Sequence, residues 1–115
     1  MDERTIEKQL TPTEVEVLRE SATKACSLLK LLANEDRLMI LCLLTQGEKN
    51  VKDIQLLTGI PQPTLSQQLT ILREEGVVST TRDGKFIFYK LICHEVVQVM
   101  QTMSKLYCGK ALGYA

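Results

Sequence analysis

Two stretches that place leucine at helical spacing are interrupted by Thr58-Gly59-Ile60-Pro61. Glycine tolerates left-handed backbone and proline lacks the N–H that a helix interior requires, so this tetrapeptide reads as a tight turn. Upstream, "VKDIQLL" opens between Asn50 and Asp53 and carries Val51, Ile54 and Leu57, expected to point inward. Downstream, Leu65, Leu69 and Leu72 stand at i, i+4 and i+7 and form one apolar stripe, on a helix running until Glu75-Gly76. Gln62, Thr64, Gln67, Gln68 and Thr70 occupy its other face, expected to meet solvent. A short helix, a glycine-containing turn and a second amphipathic helix make a helix-turn-helix.

The flanking segments complete the architecture. Thr11-Pro12-Thr13-Glu14 is a capping-box start for a helix running to about Leu32, with Val15, Leu18, Ala22, Ala25, Leu29 and Leu32 on one face. Asn34, followed by Glu35 and Asp36, restarts the chain, and the apolar "RLMILCLLTQG" reads as a buried central helix ended by Gly47. After Gly76 the period changes. "VVSTTRDGKFIFYKL" alternates, with Ile87, Tyr89 and Leu91 on one side, Phe86, Phe88 and Lys90 on the other, and Asp83-Gly84 as a two-residue hairpin turn. "CHEVVQVMQTMSKLYC" gives a last helix carrying Val96, Val99, Met100, Met103 and Tyr107. The expected fold is mainly α with a small β-hairpin, a winged helix-turn-helix in α-α-α-α-β-β-α order. It forms a single domain over residues 1–115, with 1–10 as a flexible extension.

The helix after the turn is the chemically informative one. A helix laid in the DNA major groove needs uncharged donors and acceptors near its N-terminus to read base edges, and glutamine can bond adenine bidentately. A merely solvated face usually carries Glu and Lys, and both are absent from Gln62 to Leu72. The charge balance is less suggestive: 14 basic and 14 acidic residues cancel, leaving no overall basic footprint. Charge does separate along the chain, with six acidic against three basic residues in 1–20 and seven basic against five acidic in 37–90.

No apolar run approaches the ~20 residues needed to span a bilayer, and MDERTIEKQL has no signal-peptide core, so the expected address is cytoplasmic, with no membrane partner. Four cysteines, at 26, 42, 93 and 108, form no C-x-x-C or C-x-C, which gives zinc-ribbon and thioredoxin readings no local support.

"LLANEDRLMILCLL", "TGIPQPTLSQQLTILREEGVV" and "RDGKFIFYKL", in this order, resemble the ArsR/SmtB family of winged-helix repressors over nearly the whole chain. The resemblance implies a homodimer joined through the first and last helices, which binds double-stranded operator DNA and releases it when an inducer binds. It implies that Gln62, Thr64, Ser66 and Gln68 face DNA and that Arg82 to Lys85 form the wing tip. Gln67 shares that polar face, so the expected DNA-binding set is Gln62, Thr64, Ser66, Gln67, Gln68, Arg82 and Lys85. Pro61 departs from the pattern, because the family often has a capping serine there.

Metal-sensing members carry cysteines entering the helix before the turn, or carboxylates and histidines along the last helix. Here the first stretch is "EKNVKDI", and Leu106 and Gly109 occupy the later positions of the second, so no metal ligands and no cofactor are expected. Cys42 and Cys108 instead resemble the cysteine pair of the persulfide- and redox-responsive branch, in which a disulfide or polysulfide bridge releases DNA. That implies reactive sulfur species (persulfide or polysulfide) as inducer, with Cys26 and Cys93 structural or incidental. Three alternatives stay open: a metal-responsive repressor using cysteines across the dimer, a thiol oxidoreductase using Cys42 and Cys108, and a constitutive DNA-binding protein with inert cysteines. The expected protein is not an enzyme.

Overall fold

A computed structural model describes residues 9–109; positions 1–8 of the expected N-terminal extension, and positions 110–115, lie outside the described residues. The chain divides into two units, Met1–Leu31 and Leu32–Ala115.

The first unit is built on α1 (Pro12–Leu32). Its capping box closes as the sequence requires. Thr11 N–H donates to Glu14 Oε2 at 3.3 Å and Glu14 N–H to Thr11 Oγ1 at 3.1 Å, which satisfies two donors that the first helical turn leaves unpaired. Val15, Leu18 and Leu29 of its apolar face are exposed.

The second unit starts with α2 (Glu35–Leu44), where Asn34 Oδ1 accepts the Arg37 N–H at 3.0 Å. It continues through β1 (Lys49–Asn50), α3 (Val51–Thr58), α4 (Gln62–Glu74), β2 (Val78–Asp83), β3 (Phe86–Leu91) and α5 (His94–Tyr107). Helix α2 packs against α3, α4, α5 and β3. Ile40, Leu41 and Leu44 of α2 meet a core shared by Ile54, Leu65, Leu69, Leu72, Val96 and Met100. Burying each such side chain is worth about 1.5–3 kcal/mol, so this core fixes where α4 and α5 lie.

Several local expectations shift. Helix α2 stops at Leu44, with Thr45 as its C-cap and Gly47 three residues on at φ 131. It is not buried all round, since Met39 is exposed. Leu57 is exposed as well: α3 has only eight residues, and Ile54 is the side chain it sends into the core. The hairpin turns one residue later than expected. Asp83 still pairs with Phe86, leaving Gly84-Lys85 as the two-residue loop, with Gly84 at φ 63 in the first central position. Strand β1, too short to show alternation, pairs antiparallel with β3 and gives the sheet order β1-β3-β2. On α5 the buried stripe is Val96, Met100 and Ser104, while Met103 and Tyr107 are exposed.

Candidate nucleic-acid interface and thiol groove

Gly59 ends α3 in left-handed backbone (φ 72), its N–H donating to Gln55 O at 2.8 Å. That conformation suits glycine and sets the angle between α3 and α4. Pro61 stands at the N-cap of α4 without a side-chain cap, and its carbonyl accepts the Leu65 N–H at 2.8 Å. The positive end of the α4 dipole is thus not covered by an acidic or capping side chain.

Gln62, Ser66, Gln67 and Thr70 are exposed on α4 and Thr64 is half-buried. Gln62 Nε2 donates to Ser66 Oγ at 3.3 Å, and Thr70 Oγ1 donates to Ser66 O at 2.8 Å, so the front of the helix carries a preformed polar row. Gln68 does not face solvent as expected. It is 8% exposed, and its Oε1 accepts a 2.9 Å hydrogen bond from Arg37 Nη1 of α2. Spacing explains this: three residues after Leu65 and four before Leu72, Gln68 borders the buried stripe. At the other end of the interface, Arg82, Asp83 and Lys85 are exposed on the hairpin tip, where Arg82 Nε donates to Gly84 O at 3.3 Å.

The cysteines fall into different surroundings. Cys42 is half-buried on α2, with its Sγ 3.5 Å from Ser104 Oγ on α5. Ser104, 3% exposed, continues the buried stripe of α5, and Cys108 follows it by one turn, its N–H donating to Ser104 O at 2.8 Å. Cys42 and Cys108 line the same groove of about 420 Å³, walled by Leu38, Met39, Met100 and Met103. Both are free thiols, as are Cys26, exposed on α1, and Cys93, at the N-cap of α5. Cys93 Sγ donates to Glu95 Oε2 at 3.4 Å. A bond to its own backbone N–H, then the Cys93 thiol and His94, hold the exposed Glu95 carboxyl below its ordinary pKa. Among the described residues no three His, Cys, Asp or Glu side chains converge into a metal-binding group. No helix among them is long and apolar enough to cross a membrane.

Two residues of this region escape sequence reasoning, Arg37 and Ser104. Ser104 leaves a faint signal as the polar member of the i, i+4, i+8 series Val96, Met100, Ser104; the Arg37 contact spans 31 positions and leaves none.

Residues 34–80, which hold the helix-turn-helix and the start of the wing, match the model of "Bacterial regulatory protein, arsR family". The chain is 40% identical over 109 residues to a biofilm growth-associated repressor of Agrobacterium fabrum, covering 93% of each protein. Its fold is similar to the crystal structure of the transcriptional repressor BigR from Xylella fastidiosa (TM-score 0.76, 41% identity, 81% of this chain and 95% of that one). It is equally similar to reduced HlyU from Vibrio cholerae (TM-score 0.77, 36% identity, 81% and 98%).

Proposed function

The chain belongs to the arsR family of bacterial regulatory proteins, winged-helix regulators rather than enzymes, and from that premise we propose that it is an operator-binding repressor switched off by joining Cys42 to Cys108. Gln62, Thr64, Ser66 and Gln67 read base edges, while Arg82 and Lys85 hold the phosphate backbone. Gln68, committed to Arg37, is left out of the reading set. Two copies pair through the first and last helices, whose apolar residues Val15, Leu18 and Leu29, and Met103, Leu106 and Tyr107, are exposed in the single chain.

One observation carries the sensing half of the reading: the 3.5 Å approach of Cys42 Sγ to Ser104 Oγ, one helical turn from Cys108 along a shared groove. Residues four apart on a helix face are neighbours at about 5–6 Å, which puts Cys108 next to the residue that Cys42 meets. In the chemistry, one thiolate attacks the sulfane sulfur of a persulfide R–S–SH, giving Cys–S–SH and releasing R–SH. The second thiolate then attacks the cysteine-bound sulfur, forming Cys–S–S–Cys and expelling hydrosulfide. If both cysteines are first persulfidated, the same displacement gives a trisulfide and one hydrosulfide. A direct disulfide needs Cα atoms within about 7 Å, whereas the trisulfide tolerates more.

The bridge ties the helix leading into the helix-turn-helix to the last helix. In a dimer the two reading helices must meet successive major grooves about 34 Å apart, so a small rotation spoils both half-sites together. A ~100-fold loss of affinity corresponds to only ~2.7 kcal/mol of differential binding. The test is fluorescence anisotropy on a duplex selected by the reduced protein from a random library, repeated after polysulfide treatment. The reading expects tight binding before and loss after; unchanged affinity of fully reacted protein contradicts it.

A further inference from the structure

We propose that Arg37 and Gln68 are positioning residues that carry a displacement at Cys42 to the reading helix. The proposal rests on the operator-release reading above. Among the described residues the buried polar side chains are Gln68 and Ser104, and each bonds to α2. Ser104 of α5 meets Cys42, and Gln68 of α4 meets Arg37, five residues earlier on the same helix. Helix α2 therefore has one polar attachment to the helix that bears Cys108 and another to the helix that bears the base-reading residues.

The attachments differ from the apolar packing around them in being directional. Leucine or methionine at position 68 would fill the space beside Leu65 and Leu72 without desolvating an amide. The glutamine instead accepts from a charged guanidinium at 2.9 Å, a bond roughly twice as strong as a neutral one and costly to leave unmade when buried. Arg37 is itself held, its N–H bonded at 3.0 Å to the Asn34 cap in the first turn of α2. Five residues of helix separate Arg37 from Cys42 by about 7.5 Å along the axis, a distance over which one helix moves as a rigid rod. When a bond at Cys42 shifts α2, the Arg37–Gln68 pair moves together rather than parting, and α4 turns with it. Gln62, Ser66 and Gln67 ride on the opposite face of α4 and are re-aimed. The apolar core fixes where α4 lies, and the directional bond ties its rotation to that of α2.

The experiment separates this coupling from the identity of the inducer. In the full-length chain with Cys26, Cys93 and Cys108 replaced by serine, methyl methanethiosulfonate is used to modify Cys42. The thiolate attacks the reagent's thiomethyl sulfur, gains S–CH₃ and expels methanesulfinate. Operator affinity is measured before and after modification, with the fold checked by circular dichroism. With Gln68 present, modification lowers affinity on the order of 10-fold, within the usual range of allosteric coupling. In Gln68→Met the ratio falls below about 2-fold, and in Gln68→Glu, which keeps the acceptor for Arg37, it is retained. Gln68→Leu replaces the methionine variant should that one fail to fold. A Gln68→Met or Gln68→Leu chain that keeps the full ratio overturns the proposal, and so does a wild-type position 68 that shows no response to thiomethylation. A parallel polysulfide arm on the four-cysteine chain reports on the Cys42–Cys108 bridge alone, so its failure leaves the thiomethyl result decisive for the coupling.

Discussion

The two faces of α4 should separate stability from reading. Leu69 is 1% exposed in the core, and Gln62 is exposed at the front of the same helix. Leu69→Ala removes three buried carbon atoms and leaves a cavity that the packed neighbours fill only in part, which costs about 2–5 kcal/mol. A domain of this size has about 5–15 kcal/mol in total, so the variant folds with a reduced margin. With a urea dependence of about 1–3 kcal/mol per molar, the unfolding midpoint should fall by roughly 1–3 M with no change in slope. Gln62→Ala trims a solvated side chain whose bond to Ser66 is exposed, so its midpoint should stay within the equivalent of about 0.5 kcal/mol. Its operator affinity should instead drop by about 1–3 kcal/mol at one base pair and little elsewhere. Urea melts followed by circular dichroism, paired with anisotropy on an operator and its single-base variants, read both quantities. The reasoning fails if Gln62→Ala lowers the midpoint as far as Leu69→Ala does, or if Gln62→Ala binds every operator variant like wild type.

Lys85→Ala at the hairpin tip should weaken all sequences alike and reduce the slope of log affinity against log salt by about 0.9; an unchanged slope means the wing stays off the backbone. Met103→Glu should yield a monomer in sedimentation at micromolar concentration, because burying an unpaired charge in an interface costs several kcal/mol. A Met103→Glu chain that sediments as a dimer argues against pairing through α5. Asn50→Ala removes the 2.8 Å acceptor of the Asp53 N–H and should cost about 1 kcal/mol in a urea melt without altering thiol reactivity; no loss means that cap does not stabilise α3.

What was legible in the sequence is what local chemistry decides. Gly59 and Pro61 break the chain whatever surrounds them, and Thr11, Asn34 and Asn50 cap the next helix with their own side chains. Each of these caps forms. The hairpin was legible but its turn was not, because Asp83-Gly84 and Gly84-Lys85 both suit the alternation, and the ladder settles it by pairing Asp83 with Phe86. Helical spacing also failed where a helix is short: Leu57 fits the stripe of Val51 and Ile54, yet two turns of α3 do not carry it into the core. At the candidate site, the exposed row from Gln62 to Gln67 follows from spacing. The burial of Gln68 follows from its place beside the leucine stripe, whereas its partner Arg37, on another helix, does not. The meeting of Cys42 with Ser104 likewise depends on how α2 crosses α5, which no local pattern in either helix encodes.

The most direct test of the central claim is peptide mass spectrometry on wild-type protein treated with polysulfide and scored in parallel for operator release. The account predicts one crosslink, between the peptides that hold Cys42 and Cys108, heavier by one sulfur where a trisulfide forms, and rising in step with loss of DNA binding. It also predicts that Cys42→Ser stays on DNA under the same treatment and that Cys108→Ser, which cannot close the bridge, loses less affinity than wild type. A crosslink through Cys26 or Cys93, or a Cys42→Ser protein that still lets go of its operator, would contradict it.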